Sequence, residues 1–345
     1  YRLVRRIGAG GMGEVWLARH ETMDRDVALK ILSPALTKQT SFVERFLAEV
    51  RTVARMDHPN IVTAHDAAVE GEIHYMATAY VDGEDLQQKL NREGALPERE
   101  APRIARDVAR ALDYAWNEFQ MLHRDIKPAN IMLTRRGDVR LMDLGISKTA
   151  SEDAGLTMTG YIVGTPHYMS PEQAKADREL DFRADVYSLG ATLYHLVTGT
   201  LPFRGTTAMA VLAHHISDPL EPPRQRNPAV SEECSALIEA MMAKDPTQRP
   251  ASWRQVVEDM DAVLGGAMPT TQRPGPGRSV VQRMTGDQVK QLREQKAIAL
   301  SQSQLADLRH RHSVSDGTRD RRRARRPLPL AIPLLAGPGS ITTVM

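Results

Sequence analysis

The chain has 345 residues, of which 41% are hydrophobic and 26% charged, a globular composition that excludes a disordered chain. Its one cysteine, Cys234, excludes an internal disulfide framework and a cysteine-based zinc site, and suits a reducing compartment. The net charge of +2 conceals a division: residues 266–345 hold 14 Lys and Arg against 5 Asp and Glu, a net of +9, and residues 1–265 carry −7.

In chain order, residues 1–82 read as strands with one helix. Leu3 and Val4 among arginines, a glycine cluster, and Val15-Trp16-Leu17 spell strand, turn, strand. Val27 to Leu32 is a third strand, and Phe42 to Met56 places Phe42, Phe46, Val50 and Val53 at helical spacing. Ile61-Val62 and Ile73 to Met76 read as two further strands. From residue 84 helices dominate: Pro97 to Phe119, the apolar stretch Ala184 to Val197, and Ser231 to Ala243 and Ser252 to Leu264, each of the last two with a serine at its N-cap. Gly265-Gly266 opens a Pro/Gly/Thr-rich linker, 266–279, followed by a basic tail, 280–345, in which residues 280–312 are compatible with a helix. No run of roughly 18 apolar residues is present, so no complete membrane span is expected. The first residue is Tyr1, compatible with a piece of a longer protein.

Gly8, Gly10 and Gly13 form G-x-G-x-x-G, the glycine spacing that lets backbone approach phosphate closely. A plain hairpin turn and a dinucleotide-binding turn are both alternatives. The second needs a helix after the glycines, whereas Glu14-Val15-Trp16-Leu17 is β-prone. Lys30 is a cation on an apolar strand; by itself it reads as a surface lysine, and beside the glycines as a cation facing a group that neutralises it. Downstream, His123-Arg124-Asp125-Ile126-Lys127-Pro128-Ala129-Asn130 spaces an acid, a lysine and an amide closely, and Leu141-Met142-Asp143-Leu144-Gly145 adds an acid after an apolar strand.

These motifs, in this order, resemble those of eukaryotic-type protein Ser/Thr kinases, in the style of the bacterial receptor-kinase branch. The resemblance covers about residues 1–265. It implies an α+β two-lobed kinase fold: an N-lobe of small antiparallel sheet with one helix (1–78), a hinge (79–83) and a larger, mainly helical C-lobe (84–265). It also implies ATP and Mg²⁺ as cofactors, with Mn²⁺ as an alternative. Asp125 is expected to orient the acceptor hydroxyl and accept its proton, with Lys127 near the γ-phosphate. Asn130 and Asp143 are expected to hold the metal, and Lys30 to grip the α/β-phosphates. Glu44 and Glu49 are the candidates to fix Lys30; Glu49 is chosen because it stands nine residues before His58-Pro59. Ile7, Val15 and Ala28 are expected above the adenine and Met132 below it, with Thr78 as gatekeeper and backbone groups of Ala79 and Val81 on the adenine edge. The resemblance assigns Glu172 to a buried pair with Arg249, and Asp185 to bracing the catalytic loop. Leu144 and Ser170 depart from the family's usual Phe and Ala.

Thr157 and Thr159 lie in a polar loop with Arg124 as a ready phosphate partner, and are expected autophosphorylation sites. Thr165 is expected to contact the catalytic loop. Arg319 to Arg326 places six arginines in eight residues, which suits acidic lipid or an acidic partner but also a solvated linker. The expected function is ATP-dependent phosphorylation of Ser/Thr on protein substrates in bacterial-type signalling. A homodimer is a family option for trans-autophosphorylation. The kinase domain is expected in the cytoplasm, with membrane tethering an option for the full-length protein. A nucleotide-binding scaffold is disfavoured because it has no need of Lys30, Asp125, Asn130 and Asp143 together. Nucleic-acid binding would rest on the tail alone and is not expected.

Overall fold

The computed structural model describes residues 1–10, 13–38, 40–144, 166–177 and 179–273. Residues Tyr1–Pro276 form one compact unit, and Gly277–Met345 a second that lies outside the described residues. Thr157, Thr159 and Thr165, and the expected helix and arginine cluster of the tail, fall outside as well.

Five antiparallel strands open the chain: β1 (Arg2–Gly10), β2 (Gly13–His20), β3 (Arg25–Leu32), β4 (Ala64–Glu70) and β5 (Ile73–Ala79), in the order β1-β2-β3-β5-β4. Helix α1 (Thr40–Val53) packs on this sheet through the apolar stripe expected of it. Phe42, Phe46 and Val50 are buried with Leu32 and Met76. Ile61-Val62 does not form the expected strand. It makes one parallel bridge, Ile61 to Leu141, and β4 begins at Ala64 instead. The sequence of β4, Ala-His-Asp-Ala-Ala-Val-Glu, is poor in β-branched residues, and pairing with β5 overrides that local preference.

A second, three-stranded sheet comprises β6 (Gly83–Asp85), β7 (Ile131–Thr134) and β8 (Val139–Leu141). The helical lobe comprises α2 (Leu86–Glu93), α3 (Ala101–Phe119), α4 (Phe182–Thr198), α5 (Ala208–Ser217), α6 (Glu232–Met241) and α7 (Trp253–Leu264), with short helical turns between them. Both expected serine caps are present: Ser231 accepts from the Cys234 N–H and Ser252 from the Gln255 N–H. Helix α3 starts at Ala101 and not at Pro97, whose carbonyl instead accepts from the N–H groups of Glu100 and Ala101 in the preceding turn. Helix α4 is buried almost all round, which explains why its sequence is apolar without periodicity.

The lobes are fastened near the cleft. The Val62 N–H donates to the Leu141 carbonyl (3.0 Å), the Leu141 N–H to Asn60 (2.7 Å), and the Asn60 side chain to the Val139 carbonyl (3.0 Å). Past α7 the chain turns back, and the buried Asp259 carboxylate accepts from the backbone N–H and hydroxyl groups of Thr270 and Thr271. Among the described residues no helix is long and apolar enough to cross a membrane.

Gly13 has a conformational reason to be glycine. Its φ is +138°, and a Cβ there would sit 1.9 Å from the Ile31 carbonyl oxygen. Gly13→Ala is expected to cost about 1–3 kcal/mol in urea denaturation, through strain at the β2–β3 contact. A loss below about 0.5 kcal/mol, the size of an ordinary surface change, would contradict this.

Candidate active site

Strand register assembles the upper wall of the cleft. Val15 pairs with Lys30, Leu17 with Ala28, and Lys30 and Ala28 pair in turn with Met76 and Thr78. Directly paired residues share a face, and alternate residues along a strand return to it. Val15, Ala28, Lys30 and Thr78 therefore stand on one face of the sheet, with Gly8 opposite Val15. Ile7 is the extra residue of a bulge between Arg6 and Gly8, and is partly exposed. Gly10 pairs with Gly13 at the tip, where a Cβ on Gly10 would meet nothing within 4 Å. The Thr78 hydroxyl donates to the Ala28 carbonyl (3.4 Å). The Ala79 N–H donates to the Thr63 carbonyl (2.9 Å). Val81 lies half-buried just before β6, and Met132, also half-buried, is on β7 opposite Asp85.

The lower wall is a hydrogen-bonded loop. Lys127 Nζ donates to Asp125 Oδ2 at 2.6 Å. The Asn130 amide N–H₂ donates to the Asp125 carbonyl (2.7 Å) and to Oδ2 (3.0 Å). Charge assistance makes the lysine contact the strong one. Among the described residues no hydrogen bond occupies Asn130's amide oxygen or Asp125 Oδ1. His123 is fully buried and joins this loop to the next: its Nδ1 accepts from the Asp125 N–H (3.3 Å), which leaves Nε2 to donate to the Met142 carbonyl (2.8 Å). The Met142 N–H donates to the Asn130 carbonyl (2.9 Å), which sets Asp143 beside Asn130.

Asp143 has φ +55°, a left-handed conformation uncommon outside glycine, and places Oδ2 3.0 Å from Lys30 Nζ. Burial alone would raise its carboxyl; Lys30 above all, then His123 and Lys127, hold it below the usual carboxylate range. Lys30 is 9% exposed while the Asp143 side chain is 39% exposed, so this ion pair joins the two walls of the cleft with its lysine end buried and its carboxylate end partly open to solvent. Glu49 lies half-buried on α1, the helix that packs on the same sheet. Among the described residues no cluster of three or more His, Cys, Asp or Glu is placed to hold a metal. Asn130 and Asp143 nevertheless supply the hard oxygen donors that Mg²⁺ prefers, in the small number typical when phosphate and water complete the shell.

The loop is braced from below by the buried Asp185 of α4. Its Oδ2 accepts from the His123 N–H (2.7 Å) and its Oδ1 from the Arg124 N–H (2.8 Å), and Arg124 takes φ +67° between them. Burial pushes the Asp185 carboxyl up, against the pull of these two N–H groups and of the positive charge nearby. Gln173 adds a contact that the sequence analysis did not assign. Ser170 accepts from the Gln173 N–H (3.3 Å), Gln173 Oε1 accepts from the Ser170 N–H (3.0 Å), and Gln173 Nε2 donates to the Arg124 carbonyl (3.0 Å). The pattern Ser170-Pro171-Glu172-Gln173 is a capping box, so the sequence carried a signal for the cap and none for the bond to Arg124. It gives Ser170, one of the two departures from the family's usual residues, a definite task. Leu144, the other, is 2% exposed and fills the core. Glu172 and Arg249 form the expected pair, bidentate at 2.6 and 2.9 Å, with the Arg249 side chain fully buried.

Residues 1–260 match the protein kinase domain family. The chain belongs to that family. It is 36% identical over 273 residues to the serine/threonine-protein kinase PknB of Mycobacterium leprae, covering 78% of this chain and 44% of the relative. To PrkC of Bacillus subtilis it is 36% identical over 262 residues, covering 76% and 39%. To PknA of Mycobacterium tuberculosis it is 38% identical over 286 residues, covering 81% and 65%. The chain thus spans between two fifths and two thirds of the length of these curated relatives. Among solved structures, the PknI kinase domain of M. tuberculosis superposes with a TM-score of 0.61 at 32% identity, covering 77% of this chain and 95% of that one. The two-lobed α+β kinase fold is the one expected.

Proposed function

We propose that this chain is an ATP- and Mg²⁺-dependent protein serine/threonine kinase, activated by autophosphorylation at Thr157 and Thr159. The observation that carries this reading is the bonded trio Asp125, Lys127 and Asn130, joined through the Asn130–Met142 backbone bond to the Lys30–Asp143 pair. Phosphoryl transfer asks for positioning and charge neutralisation more than covalent chemistry, and these groups supply both. Asp125 orients the acceptor hydroxyl through Oδ1 and takes its proton as the oxygen bonds to the γ-phosphorus and the β–γ bridging bond breaks. Lys127 steadies Asp125 and approaches the γ-phosphate. Lys30 holds the α/β-phosphates, with Glu49 as its carboxylate partner on α1. Asn130 and Asp143 hold the metal, with Mn²⁺ as a substitute for Mg²⁺; when bound, it neutralises charge on the phosphate oxygens. Gly8, Gly10 and Gly13 let the β1–β2 backbone close over the phosphates. Ile7, Val15, Ala28 and Met132 enclose the adenine, with Thr78 as gatekeeper.

The catalytic domain is assigned to residues 1–265, followed by the linker 266–279 and the basic tail 280–345. The same proposal includes protein substrates, a homodimer in which one protomer phosphorylates its partner, and a tail that meets acidic lipid or protein. It places the kinase domain in the cytoplasm, with membrane tethering a property of the full-length protein. The test is mass spectrometry after incubation with ATP and Mg²⁺, beside an Asp125→Asn control. Phosphate on Thr157 or Thr159 in the parent and none in the control is expected. Equal phosphate in both would sink the assignment of Asp125, and a Thr157→Ala/Thr159→Ala chain of unchanged activity would sink the switch.

A further inference from the structure

A cavity of about 320 Å³ lies beside the catalytic loop, lined by Lys127, His167, Tyr168, His195, Leu201 and Arg204 among others, and by no Asp or Glu among the described residues. At roughly 30 Å³ per water, that is room for a side chain and several waters. Lys127 both lines it and bonds Asp125, so the cavity lies one side chain away from the carboxylate proposed to meet the acceptor hydroxyl. An extended peptide advances about 3.3–3.6 Å per residue, so a side chain a few residues from the acceptor reaches it.

We propose that this cavity is a subsite for an anionic side chain of the protein substrate, a carboxylate or a phosphorylated residue near the acceptor. The inference rests on the kinase reading above and names the substrate class of that same site. Arg204 is exposed at the rim and forms no ion pair among the described residues. His167 Nδ1 is buried and has no hydrogen-bond partner among them. His195 is oriented by the buried Tyr168, whose hydroxyl lies 2.7 Å from its Nδ1. Burial above all, then the charge of Arg204, pushes His195 down to about 4. An incoming lysine or arginine would meet Arg204 with no carboxylate among the described lining residues to offset it. An incoming anion would find a guanidinium and imidazole groups already held in place.

The test uses peptides with one threonine acceptor and Glu, phosphoserine, Ala or Lys at each of about three positions on either side. Two readouts are taken on the whole chain: kcat/KM for each peptide, and the imidazole NMR signals of His167 and His195 during titration with the same peptides without nucleotide. Glu or phosphoserine is expected to exceed Lys by about tenfold at one position or more. Arg204→Glu is expected to reverse that order; because Arg204 is exposed, and each ratio is taken within one variant, a general loss of activity does not obscure it. Better phosphorylation with phosphoserine than with Glu identifies a previously phosphorylated substrate, and the reverse an acidic one. Equal rates for Glu and Lys at every position, or an unchanged order in Arg204→Glu, overturn the inference and leave the kinase reading standing. If no peptide receives phosphate, the kinase reading fails and the titration decides the subsite. Imidazole shifts with anionic peptides and none with Lys support it, and no shift with either anion overturns it.

Discussion

Asp125→Asn is expected to slow phosphate transfer by about 10²- to 10⁴-fold, the range associated with one positioned proton acceptor. The substitution conserves shape and removes charge. Asp125 Oδ2 now accepts from Lys127 at 2.6 Å and from Asn130 at 3.0 Å. An asparagine can satisfy one of these donors through its oxygen but offers no anion to take the hydroxyl proton. Its N–H₂ group also turns a donor toward neighbours that are themselves donors. The braces below are untouched, because Asp185 holds the backbone N–H groups of His123 and Arg124 and not the Asp125 side chain. Nucleotide affinity should therefore change little, since Lys30, Asp143 and the β1–β2 glycines are all retained. Single-turnover kinetics with an ATP titration alongside separates the two. A rate within a few-fold of the parent would remove Asp125 from its role, and lost nucleotide binding would mean that the loop had collapsed.

Arg249→Ala is expected to cost about 3–5 kcal/mol of stability, the cost of removing one partner from a buried ion pair. The guanidinium donates to both Glu172 oxygens and to the carbonyls of Ala243 (2.8 Å), Arg183 (2.8 Å) and Lys244 (3.4 Å), and its carbon lies 5.0 Å from the Tyr187 ring centroid. Truncation strands the Glu172 carboxylate and three carbonyls at once. Arg249→Lys should recover only part of this, because an ammonium cannot reproduce the planar fork. The pair also leaves a signature in pH. Burial alone would raise the Glu172 carboxyl, but Arg249 holds it below the usual range. A carboxyl lowered in the folded state contributes stability fully above its unfolded value, about 4.3, and loses it as pH falls through the folded value. The parent should thus lose stability in that acid window, and Glu172→Gln should lose less there. Urea melts across pH test both points. An Arg249→Ala loss near 1 kcal/mol, or identical acid limbs, would show that the pair contributes little to the stability of the folded state.

The identity of the family was present in the sequence by itself. Gly8, Gly10, Gly13, Lys30, Asp125, Asn130 and Asp143 could be read in order because each sits in a short local pattern of residue types, and the patterns follow one another as they do in the family. The helix carrying Phe42, Phe46 and Val50 and the serine caps at Ser231 and Ser252 were legible for the same reason, since periodicity and capping act within a few residues. Other features required tertiary structure. Strand β4 has weak β propensity and exists through its pairing with β5. The hold of Gln173 on the Arg124 carbonyl spans 49 residues. The Lys30–Asp143 pair joins a strand of the sheet to a loop of the helical lobe. The cavity beside the catalytic loop draws Lys127 from that loop, His167 and Tyr168 from the turn before Ser170, His195 from α4 and Arg204 from the chain beyond it. None of these contacts leaves a spacing rule in the chain, because burial and electrostatics act through space, and only folding brings such distant residues within reach of one another.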